Sequence, residues 1–573
     1  MDTESTISSL YKPLPPNHIR VLLLENLASV DTSSTTAKGG ATLVTLLKTI
    51  SLDEVRHSPG DYSALSYCWK SYSSSSPEEE ETNHIRCNDH LVLVRPNLYS
   101  ALWHVGKQLD RPAAMWVDAL CIDQSNDEER SQQVFLMGDI YKSMGSVIAW
   151  LGSEGERVAT LFQTLVDCAS NKKLHYRWGL SEDEDPLYSV GAGITYVRHC
   201  GWFDRVWTFQ EICLARHATL VVGTQRLDWA TFTTGWKYLY GFEHTRHITA
   251  KLDHIAAVRD HGGNLLQLLK AVWNRRASNP RDKVYGVLGL YGGTCIITPD
   301  YNSPVRDVMI QAARAIVEES QNLDVLHHAW ARCVETKVTA GDNDRNDSLS
   351  EPHQPTWTPD WVHPTADDRI AKDLSSLPTL EFPNIHPAFT FSAAWNGEHL
   401  VAAGLALGRR ADAGQASTFQ QREILPFSEC AFSAQTPCPQ SLRTVFAHPK
   451  QTGLTPGINL PAFAANVKQH DEGKCTCPNQ PGAWTVLRDE WRAAHGYFDW
   501  IVVLFGARTA VTLRPNWVLH DAAEFDCTFR LTETLEHEAL EHGGDILDVY
   551  RQFGAGGGAL GGMSCVGGEF EIR

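Results

Sequence analysis

Three consecutive segments constrain the fold more than any other feature of this chain. MWVDALCID, from Met115, is an apolar run of strand length and reads as a buried strand. SNDEERSQQVFLMGDIYKSMG then changes to a helical period, with Val134, Met137, Tyr141 and Met144 on one face. Ser125 and Glu128 spell a capping box at its start. SVIAWLG, from Ser146, returns to a buried strand. A strand, a helix and a strand at this spacing form a βαβ unit, and strands joined through a crossover helix lie parallel. YSALSYCW, from Tyr62, and ATLVVG, from Ala218, add two more buried strands, so an α/β fold with a parallel sheet is predicted. Asp118 falls inside the MWVDALCID strand, where a buried carboxylate must find a donor. Arg205 is the candidate, as a structural Asp118–Arg205 pair.

The rest of the chain is organised around this unit. Residues 1–61 read as an N-terminal lead-in, with Pro13, Pro15 and Pro16, a strand IRVLLLE from Ile19, and a variable Ser/Thr-rich loop. Residues 62–225 hold the α/β core, interrupted at 152–200 by an insertion that is helical first and then acidic around SEDED. SYSSSSPEEEETN, after Trp69, cannot bury apolar surface and is a solvated loop. GWFDRVWTFQEICLAR predicts a helix from about Asp204. Residues 226–340 form a helical extension in which Pro280 breaks one element, Arg281 and Asp282 make a turn and salt bridge, and Ser303-Pro304 starts an amphipathic helix. From 341 to 573 the texture shifts to short β segments such as HLVAAGLAL and WIVVLFGARTAVTLRP, read as a separate α+β region with a flexible GAGGGALGG near its end.

Bulk properties exclude several function classes. A chain of 573 residues holds more than one domain. With 50 Lys+Arg against 68 Asp+Glu, its net charge of −18 repels a phosphate backbone, and no basic run overrides it, so no nucleic-acid partner is expected. MDTESTISSLYKPLPPNH lacks the apolar core of a secretory signal, and WIVVLFGA falls far short of the ~20 residues that span a bilayer, so a cytoplasmic protein without a membrane span is expected. The 14 cysteines are scattered and read as free thiols, and Cys475 with Cys477 lacks the second pair that a zinc site requires. No metal site is predicted. GxGxxG after a strand, GxxxxGK[ST] and HExxH are all missing, which leaves dinucleotide redox, P-loop and zincin chemistry without support.

YSALSYCW (62–69), WVDALCIDQ (116–124) and WFDRVWTFQEI (202–212) resemble, in order, the three signature blocks of the fungal heterokaryon-incompatibility (HET) domain. NPRDKVYGVLGL (279–290) and WTPDW (357–361) are similar to the downstream segments of large members of that family, while GGMSCVGGEFEIR resembles their usual ending only faintly. HET domains in turn resemble TIR domains, with a flavodoxin-like parallel sheet flanked by helices. The resemblance places their first-strand Ser-Tyr pair on Ser66 and Tyr67, the loop after the second strand on Cys121–Asn126, and the helical Trp-x-x-x-Glu on Trp207 and Glu211. In catalytic TIR-type proteins the matching glutamate splits the glycosidic bond of NAD and releases nicotinamide. The resemblance therefore implies a cell-death effector of non-self recognition, NAD or a related nucleotide as substrate rather than cofactor, and self-association or binding to another incompatibility protein.

The chemistry of these positions can be argued from the residues themselves. Parallel sheets place ligands at the carboxyl ends of their strands, where Tyr67, Trp69, Asp123 and Gln124 emerge. Trp207 and Glu211 share a helix face, and a carboxylate beside an indole is desolvated, which raises its pKa. Cleavage of an N-glycosidic bond passes through an oxocarbenium-like centre, which a carboxylate steadies. Glu211 is the catalytic candidate, with Ser66, Tyr67, Trp69, Asp123, Gln124 and Trp207 as substrate-binding candidates. Each has a structural rival: Trp69 and Trp207 as core aromatics, Asp123 and Gln124 as helix caps, Glu211 as a pairing group. Cys121 lacks a histidine partner and Ser66 lacks the GxSxG elbow of a hydrolase. Two functions stand open, an NAD glycohydrolase and a non-enzymatic signalling or oligomerisation module.

Overall fold

The computed structural model of the chain describes residues 10–25, 43–69, 83–108, 113–170, 186–239, 245–293, 297–329, 355–362, 393–410, 424–425, 500–504, 507, 511–521, 524–534 and 566–572. The chain divides into two compact units, Met1–Val305 and Arg306–Arg573.

The first unit is built on a nine-stranded sheet. Its strands are β1 (His18–Leu24), β2 (Leu43–Ser51), β3 (Tyr62–Ser66), β4 (Asn83–Cys87), β5 (His90–Val94), β6 (Ala113–Trp116), β7 (Ser146–Gly152), β8 (Ala218–Val222) and β9 (Gln225–Asp228). They lie in the order β5-β4-β2-β1-β6-β3-β7-β8-β9. The strands β6, β3, β7 and β8 are mutually parallel, as the βαβ reading expects. The sheet as a whole is mixed, which corrects the expectation of a parallel one. β4–β5 and β8–β9 are joined by two-residue loops, 88–89 and 223–224, and such loops connect only antiparallel strands. Asn88 and Gly223 supply the positive φ, 53° and 54°, that these turns require. β1 pairs antiparallel with both β2 and β6, so the lead-in contributes two strands to the interior of the same sheet.

Helices cover this sheet: α1 (Leu52–His57), α2 (Pro96–Lys107), α3 (Asp118–Cys121), α4 (Asp127–Ser143), α5 (Ala159–Ala169), α6 (Pro186–His199) and α7 (Val206–Leu214). The extension adds α8 (Trp229–Trp236), α9 (Arg246–His261), α10 (Leu265–Val272) and α11 (Asp282–Tyr285). Val134, Met137, Tyr141 and Met144 are all buried, in keeping with the helical period of α4. The acidic SEDED stretch lies outside the described residues.

Two local expectations are corrected. Asp118 does not sit within a strand. β6 ends at Trp116, and the Asp118 carboxylate accepts the Ala119 amide (2.7 Å) at the start of the one-turn helix α3. The capping residue of α4 is Asn126 rather than Ser125, and its side chain accepts from the amides of Glu128 and Glu129. Ser125 is diverted because its hydroxyl donates to Asp123 (2.6 Å). Glu129 is buried and pairs with Arg20 (2.6 Å) from β1. Arg20 also donates to the Cys121 carbonyl, and the Asp123 amide donates to Glu129, so one buried ion pair fixes the whole Cys121–Asn126 loop.

The second unit carries α12 (Val305–Ser320) and the strands β10 (Ala393–Asn396), β11 (His399–Arg410), β12 (Ile424–Leu425), β13 (Trp500–Leu504), β14 (Val511–Asp521), β15 (Glu524–Thr534) and β16 (Val566–Ile572). They run β10-β11-β13-β14-β15-β16, with β12 on β11, and β16 returns to pair with β11, so this sheet closes on itself. Trp357 and Trp361 of the WTPDW segment are buried, and the Trp357 indole donates to the Glu398 carbonyl (3.0 Å). Cys475, Cys477 and the GAGGGALGG stretch lie outside the described residues.

Candidate functional site

The site forms where β3 ends. This strand is paired in parallel on both sides, and its last residues Ala64, Leu65 and Ser66 are fully buried. Its carboxyl end is therefore walled by the segment after β6 and by the helices that pack against the neighbouring strands. The wall is made by the start of α2, the start of α3, and α7.

Glu211 lies in the middle of α7, only 3% exposed. The helix forms because VWTFQEICL offers apolar residues on nearly every side, of which Val206, Phe209 and Ile212 are buried. Burial pushes the Glu211 carboxyl up from 4.5 to about 7. Arg205 and the Ser66 hydroxyl draw it down, Asp118 adds to the rise, and Tyr141 draws it down again. One carboxylate oxygen, Oε2, is buried without a hydrogen-bond partner. Such an orphan is costly to bury, and the Ser66 and Tyr141 hydroxyls that face the carboxyl leave this oxygen unanswered.

Around it, Ser66 Oγ accepts a hydrogen bond from the Trp202 indole (2.8 Å) and faces Glu211. Tyr67 is buried, its carbonyl accepts from Arg205, and its hydroxyl faces Asp118, with burial holding the phenol well above its usual range. Asp118 accepts a hydrogen bond from the Trp69 indole (2.9 Å), and burial raises its pKa. Asp118 and Arg205 attract each other across the site, but their hydrogen bonds go elsewhere: Arg205 to Tyr67, Asp118 to Trp69 and Ala119. Burial disfavours the Arg205 charge, yet Cys68, Glu211, Asp118 and Tyr67 together hold its pKa above the ordinary value.

Three of the expected residues turn away from this cluster. The Asp123 carboxylate is engaged by Ser125, and Gln124 folds back so that its amide donates to the Asp118 carbonyl (3.0 Å). Trp207 is half-buried and faces Asp282, which also accepts from the Tyr301 hydroxyl (2.8 Å). Asp282 thus has no salt bridge with Arg281, whose guanidinium donates to the Ser303 carbonyl (2.6 Å). The Cys121 thiol is buried and its pKa is pushed up to about 12 by that burial, which leaves it protonated and a poor nucleophile.

Sequence reasoning missed four contributors. Tyr141 faces Glu211 from α4, and its position on the buried stripe marked it only as core. Trp202 is the donor to Ser66, and its signal was its place at the head of the WFDRVW block. Asn97, second residue of α2, donates to the Cys68 carbonyl (2.6 Å) and accepts from the Trp150 indole (2.9 Å). Arg95 precedes that helix and lies over the Trp69 ring, 5.7 Å from its centroid. The Arg95-Pro96 step, a helix start, was its one signal in the sequence. Among the described residues no group of three or more His, Cys, Asp or Glu is placed to hold a metal ion.

The segment after α10 buttresses α7. The Gln210 side chain accepts the Gly289 amide (2.8 Å), the Val206 amide donates to the Arg276 carbonyl (3.0 Å), and Gly138 on α4 meets Gly289 so closely that a methyl group on it would lie 2.5 Å from the Gly289 Cα. The resemblance of NPRDKVYGVLGL to its family counterparts thus falls on residues that hold the Glu211 helix in place.

Comparison with known proteins adds the family. Residues 62–211 match the family model described as "Heterokaryon incompatibility protein (HET)", a stretch that begins at the first residue of β3 and ends on Glu211. The chain is similar to "Heterokaryon incompatibility protein 6, OR allele" of Neurospora crassa, 28% identical over 389 residues, which is 55% of this chain and 54% of that protein. The match thus spans about half the length of this curated relative. No solved structure matches the chain. Among the described residues no helix is long and apolar enough to cross a membrane. A central strand that ends at Ser66, a buried glutamate on the third signature block, and the family match together assign a HET domain to residues 62–211.

Proposed function

We propose that the chain is an effector of fungal heterokaryon incompatibility that triggers cell death through its HET domain, and that the domain cleaves the N-glycosidic bond of NAD or a related nucleotide. The observation that carries this reading is Glu211: a carboxylate 3% exposed, raised to about 7 by burial, with one oxygen lacking a partner. A buried carboxylate oxygen without a donor is costly, which suits a group that takes its donor from a ligand. An acceptor-only oxygen held away from water suits a ribose hydroxyl, and its charge suits the oxocarbenium-like centre that forms as the bond breaks. In that step the bond between the ribose anomeric carbon and the nicotinamide nitrogen breaks, and its electron pair leaves with neutral nicotinamide. A water oxygen bonds the anomeric carbon and loses a proton to solvent. Arg205, anchored on the Tyr67 carbonyl, keeps a fraction of Glu211 ionised near neutrality.

Purified full-length protein incubated with NAD tests the reading by release of free nicotinamide, wild type against Glu211→Ala. Turnover by wild type that the variant loses supports it, and a folded, self-associated wild type that leaves NAD intact opposes it. Cell killing is scored in parallel, and a Glu211→Ala chain that kills as well as wild type does removes catalysis by this residue from the mechanism.

A second reading, action through partner binding alone, is favoured by one observation. Val44, Leu46, Leu91 and Leu93 are 40–61% exposed and share one face of β2 and β5 at the sheet edge, with Arg86 between Val44 and Leu91. An apolar cluster of this kind on an edge is a common docking surface. It predicts that Leu91→Asp and Leu93→Asp abolish killing while leaving nicotinamide release unchanged.

A further inference from the structure

The Trp202 indole is closely confined. The residue is 1% exposed, its ring meets Phe203 edge-on at 5.0 Å between centroids, and Trp229 of α8 lies 6.2 Å away on another side. The Trp202 carbonyl accepts a hydrogen bond from the Thr208 hydroxyl (2.6 Å), one turn before Glu211 on α7, so its backbone is tied to the helix that carries the carboxylate. From there Nε1 donates to the Ser66 hydroxyl oxygen (2.8 Å) at the end of β3. Ser66 is fully buried and faces Glu211.

These contacts set a direction. An indole N–H can only donate, whereas a serine hydroxyl has one proton to give and lone pairs to receive with. Trp202 takes one of those lone pairs, and the Ser66 proton, buried away from water, needs an acceptor; the carboxyl of Glu211 faces it. A hydroxyl whose oxygen already accepts a hydrogen bond gives its own proton more strongly and receives a second one less readily. Both effects favour the ionised carboxylate over the neutral acid. The contacts also close a ring: Thr208 holds Trp202, Trp202 holds Ser66, Ser66 faces Glu211, and Thr208 and Glu211 share one helix. We propose that Trp202 is a positioning residue for Glu211 that acts through Ser66, fixing the hydroxyl as a donor to the carboxylate and leaving Oε2 to the substrate. The part played by the substrate rests on the reading of Glu211 as the carboxylate that engages it; the relay of donors does not.

Four full-length chains test it: wild type, Trp202→Phe, Ser66→Ala and the double variant, each beside its own Glu211→Gln counterpart. Phenylalanine keeps a ring between Phe203 and Trp229 and brings no N–H. The melting temperature of each chain minus that of its counterpart, followed from about pH 4.5 to about pH 9, locates the Glu211 titration with no NAD present. The carboxyl titrates at about 7 with the relay in place. Loss of a donor disfavours the ion, so the midpoint is expected to rise by about half a pH unit in Trp202→Phe and by about one in Ser66→Ala. The double variant is expected to match Ser66→Ala, because the indole acts only through the hydroxyl. The other charged and titratable groups that face Glu211, which are Arg205, Asp118, Tyr141, Tyr67 and Cys68, are the same in all four chains. A role in packing alone lowers the melting temperature at every pH and leaves the midpoint in place. A Trp202→Phe midpoint equal to that of wild type, or shifts that add in the double variant, overturns the proposal. If Trp202→Phe does not fold, Ser66→Ala carries the test, and an unmoved midpoint there overturns it as well. Failures of the two readings separate. A midpoint that rises as expected in chains that release no nicotinamide keeps the relay and removes the catalytic reading of Glu211. Nicotinamide release whose pH midpoint stays in place in both single variants does the opposite.

Discussion

Glu211→Gln is expected to make the first unit more stable at alkaline pH and not at acid pH. The carboxyl is pushed from 4.5 up to about 7 in the folded chain because burial disfavours its charge. At about 1.4 kcal/mol per pH unit, that displacement is worth about 3 kcal/mol. The sign follows from proton binding. Between the two values the folded state holds the proton more tightly than the unfolded one, so the contribution is fully present below 4.5 and is lost as pH rises through about 7. Glutamine keeps the shape and carries no charge to desolvate, so the difference between variant and wild type should grow by about 3 kcal/mol in the variant's favour from about pH 4.5 to about pH 8. In a unit of this size roughly 2 °C accompanies each kcal/mol, which gives a shift of roughly 6 °C. Thermal unfolding of both proteins followed by tryptophan fluorescence at the two pH values reads this as a difference of differences, which cancels every other titrating group. A variant-minus-wild-type shift that is the same at both pH values refutes the account of Glu211 as a desolvated carboxylate. The expected result is also a statement about function, since a chain that gains stability by losing a buried charge retains that charge for another reason.

Further outcomes rest on single contacts. Glu129→Ala leaves Arg20 buried without its partner and should cost about 3–5 kcal/mol in thermal unfolding, whereas the double replacement Arg20→Met with Glu129→Met should cost much less. Asn126→Ala removes the cap of α4 and should cost about 1 kcal/mol by urea unfolding, with Ser125→Ala costing less than half as much because its hydroxyl serves Asp123. Gly138→Ala forces α4 away from Gly289, so overpacking of about 1–3 kcal/mol should appear in the melting temperature together with a drop in nicotinamide release, because the same segment holds Gln210.

The parts of the fold that depend on local pattern were legible in the sequence. The apolar runs of β3, β7 and β8 and the stripe of α4 are properties of a few neighbouring residues, and all four stand where the spacing placed them. Long-range pairing was not legible: nothing in IRVLLLE says that β1 lies antiparallel beside β6, and the hairpins at 88–89 and 223–224 turn the sheet from parallel to mixed. Asp118 was misplaced because MWVDALCID is apolar enough for a strand, while its own carboxylate caps the Ala119 amide and starts a helical turn. The site shows the same division. Ser66 and Tyr67 meet Glu211 because the end of one strand and one helix carry them, and Trp69 reaches the cluster through Asp118, but Trp207 faces Asp282, and Asp123 is engaged by Ser125. Arg95, Tyr141 and Trp202 enter only through packing of α2, α4 and the block before α7, which no single segment encodes.

The central claim is that an ionised Glu211 acts on the substrate, and the pH dependence of nicotinamide release by the full chain tests it most directly. kcat/KM is expected to rise with pH to a plateau with a midpoint near 7, where the buried carboxyl titrates, and Glu211→Gln is expected to abolish the activity across the range. A wild type that releases nicotinamide with no such midpoint, or a Glu211→Gln chain that turns over NAD at the wild-type rate, contradicts it.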